Sequence, residues 1–189
     1  MDQGFDGRGE AMSETLRPFR IATIMEAVKV AELRYLEARV GGMNNATTYQ
    51  SDFVEVMSRD VGGILAELVV GRKFSRTFLP AINTFHNQAD VGEDIEVRST
   101  PHLNGSLILR DNDDPGRRYV LVICDPMAGF EVKGWCYGSE AMTDEWHMKG
   151  EGRPHWRYKG PLRAFSTLTL ERPKDAPTNA ETASAEYSW

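Results

Sequence analysis

Three carboxylates and a guanidinium near the middle of the chain, Glu67, Asp90, Glu96 and Arg98, have a spacing that one site can gather. Glu96 and Arg98 stand two residues apart in a segment where Ile95 and Val97 alternate with charged residues. On a strand they therefore project from one face while Ile95 and Val97 anchor the other. Asp90 lies upstream, and a straight strand rising roughly 3.3 Å per residue would hold it about 20 Å from Glu96. A shared site needs a reversal between them. Val91-Gly92-Glu93-Asp94 supplies one, because Gly92 can adopt the positive φ of a tight turn.

Glu67 brings a third acid from a helical segment, with Gly63 and Gly71 four residues away on the same face. Each glycine lowers helix propensity by about 1 kcal/mol relative to alanine and leaves room for another backbone beside Glu67. Acids with a cation alongside suit Mg²⁺, which prefers oxygen ligands at ~2.0–2.1 Å. Such an ion polarises a phosphodiester and lowers the pKa of bound water, and Arg98 would contact the phosphate. Each residue alone also has an ordinary reading. Glu96 and Arg98 suit a solvated cross-strand ion pair, Asp90 a turn former, and Glu67 a surface helix acid.

The elements that must position these residues follow from periodicity. Apolar positions Ile24, Val28, Ala31, Leu33, Tyr35 and Leu36 recur near helical spacing between Phe19 and Val40, and Gly41-Gly42 ends the run. Asp52 and Glu55 suit the capping box of a second helix running to Lys73, with Met57, Val61, Ile64, Leu65 and Leu68 as its stripe. Strands are expected at Ile95–Arg98, Ser106–Arg110, Tyr119–Cys124 and Phe130–Tyr137, the third buried on both faces. A short helix is expected over Ser139–His147. Residues 1–18 read as a flexible leader, 19–170 as one α/β domain and 171–189 as a disordered tail.

A helix acid, then Asp90, then Glu96-Val97-Arg98 on a strand resembles the PD-(D/E)xK nuclease superfamily over about residues 57–137. The phrase Ala89-Asp90-Val91-Gly92-Glu93-Asp94-Ile95-Glu96-Val97-Arg98 is similar to phage-encoded members of that group. The resemblance implies a restriction-endonuclease-like fold, a central mixed β-sheet flanked by helices. It also implies a Mg²⁺ or Mn²⁺ site formed by Glu67, Asp90 and Glu96, and phosphodiester hydrolysis of DNA. Two positions depart from the motif: Ala89 stands where it has proline, and Arg98 where it has lysine. Arginine stays protonated and cannot relay a proton, though it orients water and stabilises charge. Lys73 is a candidate to migrate into the lysine role. The departure keeps a second reading open, a catalytically silent nuclease-fold protein that binds nucleic acid or a protein partner.

Near the C-terminus His147, Lys149, Arg153, His155, Arg157, Lys159 and Arg163 are interleaved with Trp146, Trp156 and Tyr158. Cations contact phosphates and rings stack on bases, so Arg153, His155, Arg157 and Lys159 are candidate nucleic-acid contacts. The competing reading is an edge strand whose aromatics are tucked into the core. Arg117-Arg118 reads as a plain surface pair.

The net charge of −6 argues against coating nucleic acid by bulk charge but leaves a local patch open. No apolar run approaches the ~18–20 residues of a membrane span, and Met1–Arg20 lacks a secretory core. The four histidines have no zinc-finger spacing. A symmetric hairpin places Cys124 opposite about Phe130, away from Cys136, so no disulfide is expected and the setting reads as cytoplasmic, a host cytoplasm if the chain is phage-encoded. Dimers are common among nucleases that cut both strands, and a homodimer is left open, since no residue pattern identifies an interface.

Overall fold

Tyr119 to Ile123 is buried without a break because layers close on it from opposite sides. The computed structural model describes residues 14–16, 20–40, 53–74, 88–125, 129–149 and 155–171. In chain order these form β1 (Glu14–Leu16), α1 (Ile21–Val40), α2 (Phe53–Lys73), β2 (Ile95–Thr100) and β3 (Leu107–Arg110). There follow β4 (Arg118–Asp125), β5 (Gly129–Tyr137), the single turn α3 (Gly138–Ala141), β6 (His147–Met148), β7 (His155–Tyr158) and a 3-10 turn at Phe165–Thr167.

The main sheet has the order β1-β5-β4-β2. It is mixed: β2 runs parallel to β4, while β4/β5 and β5/β1 are antiparallel. Helices cover one face. Val120 and Val122 of β4 pack there with Ile64, Ala66, Val69 and Val70 of α2 and Ala27 and Ala31 of α1. The opposite face is closed by a second, antiparallel sheet of order β3-β7-β6. Tyr119 and Leu121 point to that side and meet Leu107, Leu109, Cys136 and Tyr158. The α/β class and the mixed sheet are therefore as expected, but among the described residues helices flank one face and a sheet occupies the other.

Several expectations need correction. Glu14–Leu16, placed in a flexible leader, adds a strand to the edge of β5; the rest of 1–13, residues 17–19, Asp52 and the tail from 172 onward lie outside the described residues. The helix expected over Ser139–His147 shrinks to the turn α3 because Trp146-His147-Met148 extends towards β7. In α1 the buried residues are Ala27 and Ala31, whereas Ile24, Val28, Leu33 and Leu36 are exposed. Small side chains let the two helix axes approach, so the alanines win the interface and the branched residues face outward. Ile21, Ile24, Met25 and Val28 thus form an outward apolar stripe.

Cys124 does pair with Phe130 across the hairpin, and both cysteines are free thiols. Burial pushes each of them up to about 12. Among the described residues no helix is long and apolar enough to cross a membrane.

Candidate active site

Asp90 meets Glu96 through the reversal that Gly92 permits. Gly92 has φ 67°, and Val91 and Ile95 exchange both backbone hydrogen bonds, at 3.0 and 3.3 Å. Asp90 Oδ2 then accepts the Val97 N–H at 2.8 Å. β2 has β4 on its other side, so this bond places Asp90 against the edge of the sheet that no other described strand covers. Ile95 and Val97 are buried towards the helices, and Glu96 and Arg98 share the opposite face.

A buried ion pair fastens the turn from beneath. Arg118, fully buried, donates to both oxygens of Asp94. Its Nη1 also donates to the Thr169 carbonyl at 2.7 Å and its Nη2 to that of Leu170 at 3.4 Å. The Arg118 N–H donates to the Asp94 carbonyl at 2.8 Å as well. The surface role read for Arg118 is wrong, and so is that for Arg117, whose guanidinium binds Glu96 Oε1 and approaches Asp114 Oδ2 at 3.8 Å. Both arginines face inward because β4 begins at Arg118, against the turn and β2.

Arg98 is held on three sides. Nη2 donates to Asp113 Oδ1 at 2.8 Å, Nη1 donates to Glu96 Oε2 at 3.2 Å, and Asp90 Oδ2 lies 4.0 Å from Nη1. The guanidinium sits 5.3 Å from the Tyr119 ring centroid. Burial alone would lower its pKa, but Asp113, Glu96 and Asp90 together hold it above the ordinary arginine value. Arg98 is a fixed charge.

Glu67 comes from the buried side of α2 and is itself buried. Arg34 of α1 grips both its oxygens at 3.2 Å, a bidentate fork. Burial raises the Glu67 pKa against the pull of Arg34, and Glu96 raises it further. The glycines flanking Glu67 do not admit a backbone at Gly63, where an added Cβ would find Ser99 Oγ 3.9 Å away, an ordinary contact. Asp90 feels both other acids. Burial first, then Glu67 and Glu96, push its carboxyl up to about 7, against the Val97 hydrogen bond and Arg98. Glu67, Asp90, Glu96 and Arg98 are thus brought within electrostatic reach of one another.

The donor chemistry fits a hard divalent cation, since among the described residues the cluster offers carboxylate oxygens and no sulfur or imidazole. Glu67, Asp90, Glu96, Asp113 and Asp114 also outnumber Arg34, Arg98 and Arg117. As placed, however, guanidiniums engage Glu67 and Glu96, and among the described residues no three His, Cys, Asp or Glu side chains converge to hold one ion. No family model, curated protein or solved structure matches this chain.

Lys73 lies 4.5 Å from the Phe165 ring centroid and donates to the Phe165 carbonyl. The basic and aromatic strip divides. Trp146 stacks edge-on with Tyr158 inside the second cluster, and the Tyr158 hydroxyl donates to the Pro161 carbonyl at 3.0 Å. Arg163 pairs with Glu140 and lies over Trp135 and Tyr137. Arg157 and Lys159 are exposed, His155 is half-buried, and Arg153 lies outside the described residues. The aromatics therefore follow the core reading.

Sequence reasoning missed Arg34, Asp113 and Tyr119. Arg34 had a signal: it continues Ala27 and Ala31 at helical spacing, so it falls on the inward face of α1. Asp113 had none, because its contact with Arg98 depends on how the β3–β4 turn folds across β2.

Proposed function

We propose that this protein is a metal-dependent nuclease hydrolysing phosphodiester bonds in DNA, with a restriction-endonuclease-like core. The observation that carries the reading is the gathering of Glu67, Asp90 and Glu96 beside the edge of β2, through the Gly92 turn and the Val97 N–H bond; burial first, then Glu67 and Glu96, push the Asp90 carboxyl up to about 7 there. Packing acids together in a buried place is costly, and strongly shifted groups of this kind cluster at functional sites. Glu67, Asp90 and Glu96 would hold Mg²⁺ or Mn²⁺. Such an ion, when bound, polarises the phosphoryl oxygen and lowers the pKa of water.

The chain's own residues have separable tasks. Asp90 is positioned by the Val97 N–H and Glu96 by Arg117. Arg98, permanently charged and braced by Asp113, stabilises negative charge on the phosphate without exchanging a proton. Arg34 neutralises Glu67 through both its oxygens and would have to give them up to a cation held there.

The test is cleavage of linear, nicked and branched DNA with Mg²⁺ or Mn²⁺, alongside Asp90→Ala and Glu96→Ala. Metal-dependent cleavage abolished by both changes is the expected result; cleavage surviving both sinks the reading.

A second reading is favoured by the arginines bound to Glu67 and Glu96. With the acids permanently paired, the fold would be a silent scaffold binding nucleic acid or a protein partner. It predicts salt-sensitive DNA binding with no cleavage in any divalent metal.

A further inference from the structure

The second sheet has an outer face that the acid cluster does not use. Its register fixes which residues lie there. Leu107 pairs with Tyr158 and Leu109 with Trp156, and these look inward. The alternate positions, Ile108 opposite Arg157 and Arg110 opposite His155, therefore share the outer face. Met148 joins them, because it pairs with His155. Arg110, Arg157, Ile108 and Met148 are exposed, and none of these outward positions is acidic. Among the described residues neither Arg110 nor Arg157 has an ion-pair partner. Lys149 and Lys159, also exposed, follow β6 and β7 directly.

This face is tied to the acid cluster by one side chain. Asp113 accepts from Arg98 Nη2 at 2.8 Å through Oδ1 and from the Arg110 N–H at 2.9 Å through Oδ2. A polyanion lying on Arg110 is thus one carboxylate away from Arg98.

The geometry points to the outer face of β3-β7-β6 as a docking surface for the phosphate backbone of a nucleic acid, with Arg110 and Arg157 as its central contacts. Among the described residues the face carries cations, Ile108 and Met148 but no Phe, Tyr or Trp, so it reads backbone charge and not bases. Binding is accordingly insensitive to sequence and steeply dependent on salt. Arg110, in β3, lay outside the basic strip near the C-terminus; the β3–β7 register brings it beside His155 and Arg157. The inference rests on the nucleic-acid reading of the acid cluster for the class of its partner, while docking itself requires no cleavage.

The experiment is fluorescence anisotropy of a labelled duplex and of a single strand in EDTA, from 50 to 200 mM salt. It compares the full chain with the Arg110→Ala/Arg157→Ala double variant. A control removes two exposed cations of the helix layer, Arg20→Ala/Lys29→Ala. Losing two phosphate contacts is expected to weaken binding roughly 10- to 100-fold at low salt and to flatten the salt slope by about 2. The control should change little, and melting temperatures of all three proteins should agree. Binding unchanged in the double variant, an equal loss in the control, or binding of poly-glutamate in place of DNA would each overturn the proposal. EDTA keeps this outcome separate from whether the acid cluster cuts.

Discussion

Asp90 Oδ2 accepts the Val97 N–H at 2.8 Å, which locks the acid onto the free edge of a strand one residue from Glu96. Its carboxyl is held where neither burial nor its acidic neighbours welcome a negative charge.

That position gives stability a pH dependence of known sign. The folded value for Asp90, about 7, lies above its ordinary 3.8, so the folded protein holds an extra proton between them. The contribution is complete below about 4 and is lost as pH rises through 7. Asp90→Asn keeps an oxygen for the Val97 N–H and removes the charge. It should raise stability at pH 8 by on the order of 1–2 kcal/mol, allowing for the partly exposed side chain, and by less at pH 5. Thermal melts at the two pH values decide it; a variant no more stable than the parent at pH 8 contradicts it.

On the metal reading, a cation at Glu67 would have to compete with Arg34. Arg34→Gln leaves a buried carboxylate with a weaker partner and should cost about 2–4 kcal/mol without metal. Added Mn²⁺ should then stabilise the variant more than the parent protein, because the guanidinium no longer has to leave. Melting curves across a Mn²⁺ titration measure this, and equal shifts in the two proteins would refute competition.

Gly92 sets the convergence of Asp90 and Glu96. At φ 67° an alanine is strained, and its Cβ would lie 3.2 Å from Leu170 Cδ2. Gly92→Ala should cost about 1–2 kcal/mol in urea denaturation. It should also reduce Mn²⁺ stabilisation, because the turn shifts Asp90. A loss of stability with full metal response would uncouple the turn from the site.

Arg118 and Asp94 are a buried pair in which either partner alone is costly. Arg118→Met should destabilise by about 3–5 kcal/mol, and adding Asp94→Leu should recover much of it. Denaturant midpoints of the single and double variants test the coupling, which additive losses would disprove.

The parts of this protein legible in its sequence are those governed by local rules. Alternation around Ile95 and Val97 and the freedom of Gly92 were enough to place Asp90 beside Glu96. The unbroken apolar run of β4 announced a strand covered on both faces, though not that one cover is a sheet. What stayed hidden depends on long-range pairing. Arg117 and Arg118 follow a Pro-Gly turn and look like solvated charges. Only the parallel alignment of β4 with β2 turns one onto Glu96 and the other onto Asp94. Helical periodicity of apolar residues misled in α1, where packing distance favoured the alanines.

The bonds from Arg118 to the carbonyls of Thr169 and Leu170 impose an order on assembly. A chain is made from its N-terminus, so α2, the Gly92 turn and β2 leave the ribosome long before residues 169–170. Until those carbonyls arrive, the guanidinium beneath the turn lacks part of its set of acceptors. The acid cluster of a nascent chain is therefore incomplete while synthesis continues, and the turn beneath it gains its full set of bonds only after residues 169–170 have emerged.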